Sequence, residues 1–329
     1  MTLKNTKVMS IVGGAMLLFL ANFVMAAKPS ISEVANQPEK KLMKMVKIHV
    51  NGKPNKKGEG PVPKFPAGGS PPKRVGILTF FIQDTGKQQA KIYSNFASSS
   101  ELTGAGVNHF AAKFYDASLG VIKKVFSEQG MTVLTTGEYL DTPEKEAAYF
   151  TFEMNHGFMM RGLIKYVKSL DGWNQRAWAM RHGVTHLMQD AGTMKSATPD
   201  GYRIFPIEMI GQDGKSTDSI NDLREAVGVD AFLGVLIQTQ YNGKELVLRD
   251  LWMYVYGPNP TKKVAGKRYI QWRTGQRWAE TEMRMKPPPT VAKFKKGQII
   301  FEDYSGFDKL ISANSKTIAA YLAEVSMGN

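Results

Sequence analysis

Two histidines come closest to a recognisable chemistry. His182 and His186 are separated by Gly183, Val184 and Thr185, a spacing that places both imidazoles on one face of a helix, as zinc hydrolases use. Those enzymes also need a glutamate directly after the first histidine as general base, and glycine stands there. That mechanism is excluded. A structural metal would need His156 or Asp190 as a third ligand; two ordinary surface or loop histidines are the simpler reading, and no metal is assigned.

Other chemistries fail on residue type. The chain has no cysteine, which excludes disulfides, thiolate metal sites, cysteine nucleophiles and a lipid-bearing cysteine behind a leader. There is no Gly-x-Ser-x-Gly elbow, and none of the five histidines stands in a triad setting. No dinucleotide fingerprint follows the first strand and no Walker loop exists. Gly104-Ala105-Gly106 opens a helix, but two glycines at a helix start are common, so no cofactor is expected. Asp141 with Glu144, or Asp218 with Asp222, has the composition of an acid/base pair. Such pairs are defined by separation in space, and all four residues fall where helix caps and first-turn charge account for them.

What remains is a basic and aromatic cluster, Lys267, Arg268, Tyr269, Trp272, Arg273, Arg277 and Trp278. As a strand, 267–273 would put Lys267, Tyr269, Gln271 and Arg273 on one face and Arg268, Ile270 and Trp272 on the other. A face mixing arginine with tyrosine can stack on sugars or hold acidic groups, which makes these seven residues the candidate binding surface. The plainer alternative packs Trp272 inside and leaves the cations solvated.

Charge and compartment narrow the partner. The formal charge is +14, and it is concentrated: residues 28–74 carry 11 basic and 3 acidic side chains, residues 261–299 carry 11 and 2, and the rest of the chain beyond the leader is mildly acidic. Lys4 and Lys7, the apolar run from Val8 to Val24 and Ala26 at the cut site read as a signal peptide over residues 1–26. An uncleaved anchor is the alternative, since the run approaches the shortest spanning helices. No later stretch is apolar enough to span a bilayer. The expected location is the bacterial periplasm or outer membrane, with secretion as the alternative. There the anions that basic segments attract are lipid headgroups, acidic polysaccharide or an acidic protein face, not nucleic acid.

The elements that must carry this surface read as follows. Val46, Ile48 and Val50 alternate with polar residues as a short strand, but 51–72 is rich in proline and glycine, so 27–72 is expected to be a basic tail and linker and 73–329 the domain. Arg74 to Ile82 reads as a buried strand. Val107, Phe110, Phe114, Ala117, Val121 and Val125 recur at helical spacing up to Gly130, and Met131 to Thr135 is a second strand. Strand, helix, strand implies a parallel βαβ unit.

A capped helix begins at Thr142 and is expected to run to about Leu170 with a break near Gly157 or Gly162; Tyr202 to Ile210 is an edge strand. A helix over Ser219 to Val227 precedes the strand Asp230 to Gln240. A hairpin turn at 241–244 leads to Glu245 to Tyr256, with Leu246, Leu248, Asp250, Trp252 and Tyr254 expected on one face. Residues 267–273 are a third antiparallel neighbour, 286–290 a break, and Phe307 to Val325 a terminal helix. The fold class is α/β, a mixed sheet with a βαβ unit, an antiparallel hairpin and flanking helices.

Arg74-Val75-Gly76-Ile77-Leu78-Thr79-Phe80-Phe81 with its following helix, the strand in Gly130 to Leu140, and Val227-Gly228-Val229-Asp230-Ala231 ahead of an apolar strand resemble the α/β domain of bacterial envelope proteins of the curli-secretion CsgG type. The same pattern is similar to the TolB amino-terminal domain. Thr79 stands where those families have proline, and the lipid-bearing cysteine is missing, which argues against pore formation. The resemblance implies a non-enzymatic envelope binding or assembly module, contacting an anionic envelope component or a partner protein, with homo-oligomerisation open. An exported hydrolase with scattered active-site residues and a surface-polymer subunit are the alternatives.

Overall fold

The computed structural model describes residues 28–50, 71–84, 104–155, 195–205, 214–258 and 274–326, together with Gly162, Lys165 and Ser169. In chain order the elements are α1 (Ile31–Ala35), α2 (Glu39–Met45), β1 (Val46–Val50), β2 (Arg74–Asp84), α3 (Gly104–Ser127), β3 (Thr132–Leu134), α4 (Thr136–Tyr139) and α5 (Pro143–Phe150). They continue with β4 (Lys195–Ala197), α6 (Gly214–Val227), β5 (Ala231–Tyr241), β6 (Glu245–Pro258), β7 (Gly275–Arg284), β8 (Thr290–Lys295), β9 (Gln298–Glu302) and α7 (Phe307–Ser326).

The fold is α/β. One sheet runs in the order β1-β7-β6-β5-β2-β3, with β4 beside the end of β2 and the β8–β9 hairpin beside the start of β6. β2 is parallel to both β3 and β5, as the βαβ reading requires, and the remaining pairs are antiparallel. Helices cover both faces. On the first, Val75, Ile77, Phe80 and Ile82 of β2 and Leu233, Val235 and Ile237 of β5 meet Phe110, Phe114 and Ile122 of α3 and Leu310 and Ile318 of α7. On the second, Phe81, Phe232 and Leu236 meet Tyr139 of α4, Tyr149 of α5 and Ile220 and Leu223 of α6.

The helix over α3 follows its apolar spacing: Phe110, Phe114, Ile122 and Val125 are buried, while Ala117 and Val121 sit at the margin of the stripe. Past its end Gly130 takes φ 74°, a left-handed stop that glycine supplies without strain.

Several expectations change. Residues 28–50 are not a tail. Ser30 caps α1 in a reciprocal box with Glu33, Ile31 and Leu42 are buried in the main core, and β1 pairs with β7 along Val46–Val50. Lysines 40, 41, 44 and 47 are exposed, so the basic residues line a structured edge. The helix from Thr142 stops at Phe150, where Thr151 caps it, and 152–155 is not helical; the continuation to Leu170 lies otherwise outside the described residues. Residues 202–205 run without strand pairing, and β4 takes the edge beside β2 instead. The hairpin of β8 and β9 has no counterpart in the sequence reading.

β6 is bulged. Gln238 faces Asp250 but Thr239 faces Leu248, so Arg249 is the extra residue and the side chains exchange faces there. Leu246 and Leu248 therefore join Leu251, Met253 and Val255 on the first face. Asp250, Trp252 and Tyr254 lie on the second, dividing the set expected on one side.

Candidate functional site

The sheet separates two members of the expected binding cluster, Arg277 and Trp278. The strand beside β6 is 275–284, and Lys267, Arg268, Tyr269, Trp272 and Arg273 lie outside the described residues, as do His156, His182, His186 and Asp190. Trp278 is a core residue: it is 4% exposed and its indole Nε1 donates to the Pro258 carbonyl at 2.9 Å. Its neighbour Arg277 points to the second face, where it pairs with Glu280 at 2.7 Å and lies 5.9 Å over the Tyr254 ring. Adjacent strand residues point oppositely, so one binding surface cannot hold both.

The carboxylates considered for acid/base work hold the fold. Asp141 pairs with Lys145 at 2.6 Å, and that contact lowers its pKa. Glu144 sits in the first turn of α5, where a backbone N–H holds its pKa below the usual range. Asp218 accepts from the Thr274 and Gly275 backbone N–H groups at 2.7 and 3.2 Å and so ties α6 to the start of β7. Burial, then the charges of Glu225 and Asp218, raises Asp222.

Register brings together residues that sequence order scatters. Ser196 of β4, Gln83 of β2, Gln238 of β5, Asp250 of β6 and Arg284 of β7 are direct partners across five strands, one row on the second face. The next row holds Trp252, Glu282 and Lys47. The first row lies at the carboxyl ends of the parallel pair β2 and β5, where α3, following β2, covers the first face and α6, preceding β5, the second. Such a switch point is where open α/β sheets place ligands.

The Gln238 amide donates to Gln83 Oε1 at 3.1 Å, Arg284 Nε donates to Asp250 at 3.1 Å, and Arg284 also pairs with Glu282. Among the described residues, four of the six buried side-chain atoms without a hydrogen bond lie in these two rows: Gln83 Nε2, Ser196 Oγ and Trp252 Nε1, which can donate, and Glu282 Oε1, an acceptor that faces the Arg284 guanidinium as an ion pair. The rows can hold a polar, acceptor-bearing group. The carboxylates of Asp250, Glu280 and Glu282 are each engaged by an arginine.

Burial, ahead of the bond and charge from Arg284, pushes the Asp250 carboxyl above its ordinary value of 3.8. The native state then holds this proton more tightly than the unfolded chain. Its contribution to stability is complete below the ordinary value and is lost as pH rises through the raised one. Asp250→Asn is expected to remove that loss, so urea unfolding from about pH 4 to neutrality should show the variant gaining on the wild type as pH rises. A constant difference between the two would contradict it.

A second surface lies at the end of the molecule with the β5–β6 and β8–β9 turns. Ile299, Ile300 and Phe301 of β9 are 40, 61 and 41% exposed, three consecutive apolar residues in the open. Lys244, Lys293, Lys295 and Lys296 surround them, exposed and without an ion pair among the described residues. Two of the acids nearby are engaged, Glu245 by Lys28 at 2.8 Å and Glu302 by His109 at 2.9 Å. Three lysines within four positions of 293–296, followed by an apolar run, were the sequence signal for this surface.

This architecture is a layered α/β domain with a mixed sheet. No protein-family model matches the chain, and no solved structure matches its fold.

Proposed function

We propose that the protein is an exported, non-enzymatic envelope module that contacts an anionic component through the end bearing the β8–β9 hairpin. The observation that carries this reading is the group of four lysines, 244, 293, 295 and 296, without an ion pair among the described residues, around a patch where Glu245 and Glu302 are already engaged. The apolar leader over 1–26 and the strand pattern that resembles CsgG-type domains support the same reading. Each lysine held near an anionic surface contributes about 1 kcal/mol, so four supply about 4 kcal/mol at low salt.

The test uses the exported protein, purified from the envelope fraction and applied to immobilised anionic polymer and to anionic vesicles. Binding is expected at low salt and release at about 1 M, where screening shortens to about 3 Å. Replacing the four lysines by glutamine should weaken retention about 1000-fold. Equal retention of that variant would refute the reading.

A further inference from the structure

We infer that the β8–β9 hairpin is an interfacial anchor that seats the protein on an anionic phospholipid surface. Ile300 and Phe301 enter the boundary of the acyl chains, and Lys244, Lys293, Lys295 and Lys296 meet the headgroup phosphates. This rests on the anionic-partner reading above and adds the kind of anion and the depth of the contact.

Among the described residues, the exposed large hydrophobic side chains are Phe150 and these three of β9. Their concentration on one strand is the observation to be explained, because scattered apolar residues on a surface need no partner and a contiguous patch does. The hairpin also projects. Glu245, the first residue of β6, faces Lys293, so Phe294, Lys295 and the turn extend past the end of that strand. Lys296 and Gly297 both take positive φ, 52° and 80°, the tight two-residue turn that follows the twist of a hairpin.

The base is rigid. Phe294 packs edge-on against Tyr241 and Phe110, with centroids at 4.9 and 6.2 Å, and its N–H donates to the Lys244 carbonyl at 2.7 Å. Glu302, at the far end of β9, is held by His109 and by the Tyr304 hydroxyl at 2.6 Å. The apolar strand is therefore presented by packed structure, behind a turn that carries Lys295 and Lys296. Lys293 lies 5.7 Å over the Phe301 ring, which sets a cation at the rim of the apolar patch.

Three kinds of occupant can be compared. An acidic polysaccharide would satisfy the lysines and leave Ile299, Ile300 and Phe301 in water. A second copy pairing along β9 would have to use an edge strand whose ladder is interrupted at Ile300, where Lys293 faces Phe301 but Phe294 faces Ile299, and would leave the lysines without a partner. An anionic bilayer accepts both parts, cations at the phosphates and apolar side chains just below them.

The experiment compares the exported protein with Ile300→Ser and Phe301→Ser on phosphatidylglycerol vesicles, phosphatidylcholine vesicles and immobilised heparin. Both positions are exposed, and unchanged circular dichroism verifies that the variants fold. Binding to phosphatidylglycerol vesicles is expected, weaker by about 10-fold in each serine variant, with heparin binding unchanged. As a second measurement, Ile300→Trp should be quenched by bromine-labelled acyl chains on vesicle binding.

Equal vesicle binding by the serine variants, or no quenching, overturns the anchor and leaves the anionic reading standing. So does binding to heparin alone. A dimer in sedimentation equilibrium that Ile300→Ser dissociates, without vesicle binding, assigns the strand to self-association and also overturns the anchor. Failure on every anionic surface sinks both.

Discussion

Gly257→Ala is expected to be among the most damaging single methyl additions in the sheet, costing about 3 kcal/mol or more. A Cβ at this position would fall 2.0 Å from the Trp278 ring, which crosses directly over the glycine backbone. The ring has little room to move. It is 4% exposed and is fixed at its polar edge by the bond from Nε1 to the Pro258 carbonyl. Relief requires either breaking that bond and stranding the indole N–H, or separating β6 from β7 where they pair at Gly257 and Gln276. Thermal unfolding should show a fall of roughly 6–12 °C. A loss under about 1 kcal/mol would mean that Trp278 is not seated over Gly257.

Tyr149→Phe is expected to cost about 3 kcal/mol for the removal of one oxygen. β2 is bulged at Leu78, where its register with β5 shifts between Ile77 and Thr79. The irregularity leaves backbone carbonyls to be satisfied from the second face, and two tyrosines supply the donors. Tyr139 donates to the Ile77 carbonyl at 3.0 Å and Tyr149 to the Leu78 carbonyl at 2.7 Å. The Tyr149 oxygen also accepts from the Arg203 N–H at 3.1 Å, so its loss strands a buried acceptor and a donor together. Burial drives this phenol above its ordinary pKa, so it stays a neutral donor. Urea unfolding of the variant at neutral pH should show the midpoint fall with the slope unchanged; a shift worth less than about 1 kcal/mol would contradict the assignment.

The two variants also show where sequence reading succeeds. Local periodicity located α3, α7, β2 and the β5–β6 hairpin, because a helix stripe or a buried strand is written in residues a few positions apart. It missed the bulge at Arg249, since one inserted residue changes no propensity and yet exchanges the faces of everything after it. It also misplaced residues 28–50. Their lysines read as a solvated tail, whereas the buried Ile31 and Leu42 and the pairing with β7 depend on a strand more than 200 positions away.

The candidate sites follow the same division. Trp278 and Arg277 are adjacent in the chain and on opposite sides of the sheet, so the two described members of a cluster defined by sequence proximity do not share a surface. The row from Ser196 to Arg284 joins five strands through register, and no local pattern encodes register between distant strands.

Residue types and local order alone carried the composition-level facts: the absence of cysteine chemistry, the two basic segments, the apolar run over residues 8–24 and an α/β alternation of elements. These depend on residue type and on neighbours along the chain. The packed sheet settled which cations stand without an ion pair, among the described residues, beside exposed apolar side chains and that Trp278 is core. It also decided which polar atoms lie buried without a bond. Pairing, burial and satisfaction are relations between segments, fixed when the sheet sets its strand order and register.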